Sequence, residues 1–560
     1  MKVKRKPLSV LLTFCMVLAL VPMAALAESG NTVSIATVEQ LEAAIENQAD
    51  DQVWELAAGT YELSKTFTIS EPVNGETGPF IFPITADNLK IVGKGDVVIT
   101  SSVTPDAATG GVWHNQNFLT IIGSGVTIEN VDLKANKNLY YAETDPIGGV
   151  NKAVEVLGKD FSLKDVELLP VEGQSEDAVN SGSIYFSTAD AGNAVLENVT
   201  VRSWVTARTD TVKNGTITLK NTTIDISNFI DSTTYATSAS NDIFVSDGLS
   251  VLVDSRINLS GEIFNKVPAG TTVKLTEDYL VNGDCGLQID PANKNITFDL
   301  NGFALKPGDD FTPNTENGVN NWRANLVSIN GADGFTLTGG KLTADGKEAV
   351  RNVLNVQGSK GVVIDDVVLN HEGAAAGAPL IVNASEVTVT GKLDVVTGQG
   401  SWYGINVDNK GKEASLVFAE ESTLTYTDNS EKELPLIQVS EGEDAPKVEN
   451  KSDNFTLDIG EDGKIDMHKH TVKHVEAKSA TTEAEGNIEY WYCEVCCKYF
   501  SDAAMTKEIT EKDTVVAKLT PEVPPTGDSS NVVWMLMLIG ISCMAMVGTT
   551  VSVRKKTYSK

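Results

Sequence analysis

Cysteine is scarce in this chain. There are six in 560 residues, and two of them, Cys15 and Cys543, fall in apolar segments near the ends. Cys285, Cys493, Cys496 and Cys497 are all that serve the rest, which excludes a disulfide-stapled scaffold. Stability must therefore come from a large apolar core. Basic residues are also in deficit, with 44 Lys and Arg against 76 Asp and Glu and a net charge of −32. Such a surface repels nucleic acid and anionic lipid headgroups. Histidine is rarer still, at five. No Ser/His/Asp or Cys/His constellation and no phosphate-cradling loop can be assembled from the chain. Between its ends there is no apolar run of membrane length.

The ends carry what the middle lacks. "MKVKRK" is a basic start, "PLSVLLTFCMVLALVPM" an apolar run, and Ala25 and Ala27 are the small residues that signal peptidase requires. Residues 1–27 are expected to be a secretory signal cut after Ala27, with an uncleaved anchor as the alternative. Residues 532–551 are apolar and would make about 30 Å of helix, the thickness of a bilayer core. Arg554, Lys555 and Lys556 follow, so the tail 552–560 is expected to stay cytoplasmic. Ahead of this span, the linker 521–531 contains Val523-Pro524-Pro525-Thr526-Gly527. Its prolines fix φ and remove donors, which keeps the peptide extended for an enzyme groove. The order of motif, span and basic tail resembles the sortase sorting signal of Gram-positive surface proteins, Leu-Pro-x-Thr-Gly, with Val523 in place of Leu. The resemblance implies cleavage between Thr526 and Gly527 and covalent attachment to the cell wall. Sortase and peptidoglycan would then be partners. A proline-rich linker before a plain transmembrane anchor is the alternative, and it gives the same cell-surface address.

The middle is repetitive. "VTIENVDL" starts at Val126, "FSLKDVEL" at Phe161, "AVLENVTV" at Ala194, "ITLKNTTI" at Ile217, "FTLTGGKL" at Phe335 and "VVIDDVVL" at Val362. Each is a pair of short alternating strands around one turn position, held by Asn130, Asp165, Asn198, Asn221, Gly339 and Asp366 in turn. These residue types tolerate left-handed backbone, so one strand can bend sharply into the next. Alternation sends Val126, Ile128, Leu163, Leu196, Leu219 and Ile364 inward. From about Val33 to Ile465 the chain resembles the right-handed parallel β-helix proteins, the pectin-lyase-like superfamily. The fold class expected is all-β, a parallel β-helix in one long or two tandem pieces.

A short helix over "TVEQLEAAIENQ" would cap the first coil, with Thr37 as N-cap, Gln40 at the capping-box position and Leu41, Ala44 and Ile45 on one face. "VKLTEDYLVNGDCGLQI" then "NITFDLNGFAL" echo "WELAAGTYELSKTFTI" then "NLKIVGKGDVVI". This suggests an internal duplication, with half 1 over 28–264 and half 2 over 265–465.

Residues 466–520 form a separate small module. "GNIEYWYCEVCCKYFSD" resembles a module repeated in clostridial-type surface proteins. Cys493 and Cys496, with His468, His470 and His474 upstream, have the types and spacing of a zinc site. Cys497 beside them, and Thr482 where many copies have Cys, leave a disulfide or a metal-free module as the alternative. Tyr490, Trp491, Tyr492, Tyr499 and Phe500 would be its core.

For function, three classes stand. The first is an adhesin-like, wall-anchored protein that binds glycans or host proteins. The second is a surface polysaccharide lyase or glycoside hydrolase, which the β-helix resemblance permits. The third is a structural spacer. Paired carboxylates occur at Asp50-Asp51, Asp309-Asp310 and Asp365-Asp366, and Arg202, Arg208 and Asp210 form the best basic and acidic cluster. None matches a lyase or polygalacturonase signature, so no catalytic residue is assigned. His114 and His371 read as loop residues. The loops to inspect for sugar stacking carry Tyr140, Tyr141, Trp402 and Tyr403.

Overall fold

The structure, a computed structural model, describes residues 31–73, 77–103, 117–135, 153–169, 183–187, 190–202, 205–207, 214–225, 243–254, 259–291, 294–313, 322–409, 413–440, 446–460, 462–468, 472–494, 497–503, 505 and 507–520. The leader with Ala25 and Ala27, the linker with Val523, Pro524, Pro525, Thr526 and Gly527, the apolar span 532–551 and the tail lie outside them. Among the described residues no helix is long and apolar enough to cross a membrane. The chain divides into two compact units, Met1–His468 and Lys469–Lys560.

The first unit is a parallel β-helix. Its strands stack coil on coil, parallel and in register, in one large sheet folded over two faces, with a third face made of two separate sheets. The alternating pattern explains the stack. Ile91, Ile128, Leu163, Leu196 and Leu219 lie one above another. All five are buried, as are Val126 and Ile364. Each such side chain contributes about 1.5–3 kcal/mol on burial, so the repeated column replaces the missing disulfides.

The bend between the first two faces falls where the sequence places it. Asn130, Asp165, Asn198, Asn221, Gly339 and Asp366 have φ of 61, 52, 53, 44, 74 and 52°. They also bond along the column. Asn198 Nδ2 donates to Asp165 Oδ1 at 2.7 Å and Asn221 Nδ2 to Asn198 Oδ1 at 3.3 Å. A second left-handed column marks another corner, just before each first-face strand. It runs through Asp51, Asn88, Gly125, Asp160, Gly192 and Gly215, whereas in the second half the corner before the strands is held by Asn295, Gly334 and Gly361, which follow the first-half bend along the stack. At Gly125 a Cβ would come within 2.3 Å of Asn88 Oδ1. The amide of one coil therefore fills the space that the next coil leaves by having no side chain.

The two halves are continuous. Ser250–Val253 pairs with Thr272–Leu275 across the duplication boundary. The register shows a shift there. A buried ladder runs Val201, Ile224, Val251, Val273, Phe298, Leu337, Ile364, Val389 and Phe418. Its first-half members follow their bend, whereas Phe298, Leu337 and Ile364 precede theirs. The second half is thus turned by one face relative to the first, and the third-face sheet is interrupted accordingly.

Each half opens on a helix. α1 (Val38–Glu46) has the full capping box of Thr37 and Gln40 and buries Leu41, Ala44 and Ile45. It also buries Glu42, whose carboxylate accepts from Ser64 N and Oγ at 2.8 and 2.9 Å. α2 (Gly261–Lys266) fills the junction and sets Phe264 against Phe298 and Phe335, centroids 5.3 and 6.0 Å apart. At the far end, Leu457–Ile459 and Lys464–Met467 form an antiparallel hairpin on Ile437–Val439. This hairpin blunts the open edge. It also places the unit boundary after His468, three residues beyond the expected end of the helix at 465.

The second unit is small and antiparallel. Val472–Val475, Tyr490–Cys493, Tyr499–Phe500 and Glu508–Ile509 form one sheet, and Gly486–Asn487 pairs with Val515–Val516. Cys493, Phe500 and Ala480 are its buried apolar residues, and Tyr492 and Tyr499 pack with ring centroids 4.6 Å apart.

Candidate functional site

The charged pairs suggested by the sequence serve the fold. Arg202 spans three coils, with Nη1 donating to Asp225 Oδ2 at 2.7 Å and Nη2 to Glu167. Arg208 and Asp210 lie outside the described residues, as do His114, Tyr140 and Tyr141. Asp365 accepts from Thr338 and Thr390 at 3.1 and 2.9 Å, and Asp366 from Lys392 N at 2.8 Å. Asp50 accepts from Asp87 N and Asp51 from Asn88. Asp309 pairs with Lys347 at 3.0 Å.

His371 is fully buried. Its Nε2 lies 2.6 Å from the Arg351 carbonyl, which can only accept, so this nitrogen carries the proton. Nδ1 then accepts from Ser401 Oγ at 2.8 Å, and that hydroxyl accepts from Gly398 N. Burial lowers the His371 pKa to about 4. A neutral ring with both nitrogens engaged is a staple between loops.

What His371 staples is a cluster of loops that carries an open depression among the described residues. Four successive coils reach the second-half third face through loops at residues 344–351, 371–377, 398–404 and 428–436. Glu348, Glu372, residues 373–375 and 398–400 and Asn429 enclose an open depression of about 570 Å³. Asn429 Nδ2 donates to Glu372 Oε1 at 2.7 Å. Asp428 anchors the last loop by accepting from Thr397 Oγ1, Ser430 N and Leu434 N at 2.6, 3.0 and 2.8 Å. Against the cost of partial burial, these bonds hold its pKa down at about 2.

Beside the depression, Arg351, Gly377 and Trp402 occupy consecutive coils, tied by Trp402 N donating to the Gly377 carbonyl at 2.9 Å. At Gly377 a Cβ would meet the Arg351 carbonyl at 1.8 Å, so only glycine fits. With no side chain between them, the Arg351 guanidinium lies over the Trp402 ring, 5.6 Å from its centroid. Trp402 is 41 % exposed. Tyr403 packs edge-on to it at 6.3 Å, and burial raises the pKa of its phenol. One coil before Arg351, Trp322 is 53 % exposed with Arg323 stacked 5.0 Å from its ring. At 4.7–4.9 Å per coil the two indoles are spaced about 14 Å along the helix.

The sheet that starts from these loops is rich in uncharged polar groups. One column on its outer side runs Gln288, Ser328, Asn355, Ile381, Asn406 and Gln438, and a second Asn330, Gln357, Asn383 and Asp408, of which Ser328, Asn355, Ile381 and Asn383 are buried and Gln288, Gln357, Asn406 and Gln438 reach solvent. Amides and hydroxyls next to exposed indoles are the groups that hydrogen-bond and stack on sugars. Of these residues the sequence pointed only to Trp402, Tyr403 and His371. Arg351, Glu348, Glu372, Asn429 and Trp322 have no periodic signal, because they lie on loops that converge only when the coils stack.

The zinc set falls only partly within the described residues, among which no group of three or more His, Cys, Asp or Glu could hold a metal ion. His468 belongs to the first unit and bonds Asp458 at 2.8 Å. His474 bonds Glu489 at 2.8 Å and stacks on Trp491 with centroids 5.0 Å apart. Cys493 is buried in the small core, and Cys497 N donates to its carbonyl at 2.9 Å. Cys496 and His470 lie outside the described residues.

No known family profile matches the chain, and no curated protein matches it. Among solved structures it is similar to the A-module of the Azotobacter vinelandii mannuronan C-5 epimerase AlgE6, at 11 % identity over 75 % of this chain and 95 % of that one, with a TM-score of 0.26. It is similar to the alginate lyase AlyF-OU02, at 10 % identity over 80 % and 94 % and a TM-score of 0.29. It is also similar to tailspike protein 3 of bacteriophage CBA120, at 11 % identity over 84 % and 66 % and a TM-score of 0.31.

Proposed function

We propose that this is an exported, cell-wall-anchored protein whose β-helix recognises glycans at the second-half loop edge. The observation that carries the reading is the exposed Trp402 under the Arg351 guanidinium, next to the depression and the amide-rich sheet. Anchoring through Thr526 would present this edge to polysaccharide or to host glycans outside the cell. The test is a glycan array probed with the protein and with its Trp402→Ala variant. Retention of the same glycans by both would reject the site, and an array with no bound glycan would reject the function.

A second reading is cleavage of the bound polysaccharide. Glu348 and Glu372 open on one depression, and paired carboxylates are what glycoside cleavage uses. Release of reducing ends or of unsaturated products from an array-positive glycan, lost in Glu372→Gln, would establish turnover. Binding without either product assigns the site to adhesion.

A further inference from the structure

We infer that Arg351 is an anion anchor in the glycan site, and that the preferred glycan carries one carboxylate or sulfate on an otherwise neutral sugar chain. This rests on the glycan reading above. Among the described arginines, Arg202 reaches Glu167 and Asp225, and Arg323 reaches Asp284. Arg351 reaches no carboxylate among the described residues, although acidic residues outnumber basic ones by 76 to 44. Its Nε, like that of Arg202, is buried without a hydrogen-bond partner, but Arg202 has two carboxylates on its other nitrogens and Arg351 has none among the described residues.

Loss of water around the guanidinium lowers its pKa, and only the Tyr403 phenol opposes this. A guanidinium partly withdrawn from water with no counter-charge is costly, and a bound anion offsets that cost. Arginine presents a planar fork that matches a carboxylate or a sulfate, and Trp402 beside it offers a face for the attached sugar ring. The charge count at the edge argues against a polyanion. Glu348 and Glu372 open on the adjoining depression, and the whole chain carries −32. Arg351 matches one negative group, and the further cation beside the depression, Lys432 on the Gln399 carbonyl, is outnumbered by Glu348, Glu372, Glu431 and Glu433, so each further negative group meets net repulsion.

The experiment measures Kd by calorimetry for the full chain with four probes. These are a neutral galactose-terminated tetrasaccharide, the same sugar with a terminal sialic acid, the same sugar with a 6-sulfate, and trigalacturonate. At least one singly charged probe should bind about tenfold tighter than the neutral one, as a charge-assisted hydrogen-bonded pair implies. The sialylated and sulfated arms decide between carboxylate and sulfate. Trigalacturonate should bind no tighter than the better of these two. Arg351→Gln should remove the preference, and Arg351→Lys should keep part of it. Equal binding of neutral and charged probes, tightest binding of trigalacturonate, or a preference that survives Arg351→Gln would each overturn the inference. If Arg351→Gln does not fold, the wild-type comparison of probes decides alone. Neutral binding without preference leaves the glycan reading standing, whereas binding of no probe removes both.

Discussion

Replacing Asn198 separates the two things its position does. The residue has φ of 53°, donates to Asp165 at 2.7 Å and accepts from Asn221 at 3.3 Å. Alanine loses both hydrogen bonds, which are exposed and so contribute about 0.5 kcal/mol each. It also pays about 1–2 kcal/mol for a left-handed backbone. The total is about 2–3 kcal/mol. Glycine loses the same bonds and adopts the backbone freely, but its unfolded chain gains entropy that costs about 0.4–1 kcal/mol. The total there is about 1–2 kcal/mol. Asn198→Gly should therefore unfold at a urea concentration between wild type and Asn198→Ala, with an unchanged m-value. Far-UV circular dichroism in urea reads this directly. If glycine destabilises as much as alanine, the bend does not depend on left-handed backbone, and the account of the column is wrong.

Leu196→Asp places a charge between Leu163 and Leu219 in the closed core and should cost several kcal/mol, seen as a drop of the urea midpoint. His371 gives a pH dependence. Its folded pKa of about 4 lies below the ordinary 6.5, so the unfolded chain takes up the proton first. Stability is then full above pH 6.5 and falls by about 3 kcal/mol as the pH drops to about 4. His371→Gln should flatten that segment of the curve. Acid loss below pH 4 should persist in this variant, because Asp428 is depressed from 3.8 to about 2 and loses its stabilisation across that window. At the other end of the chain, Thr526→Ala and Gly527→Ala should each abolish covalent retention in the cell-wall fraction. Unchanged retention would reject the sorting motif.

The bend column was legible because left-handed backbone restricts a position to Asn, Asp or Gly, and six copies aligned on it. The inward column was legible for a similar reason, since strand alternation has only two phases. The second corner column was harder to see. Its Gly and Asn or Asp precede the strands, where loop composition hides them, and their fit shows only when Asn88 is seen above Gly125. The one-face turn at residues 250–272 has no sequence signature at all, because the template does not say which strand it rests on. The site was least legible. Arg351 meets Trp402 only because Gly377 lies between them and because the coils from β-strand to β-strand are of nearly equal length. Spacing likewise did not show that His468 belongs to the β-helix unit, where it bonds Asp458.

Hydrogen exchange of the protein with and without an array-positive glycan tests the central claim most directly. The account predicts new protection confined to residues 344–351, 371–377 and 398–404, where Arg351, His371 and Trp402 hold the loop edge together. Protection in residues 472–520 or along the first half, with these loops unchanged, would contradict it.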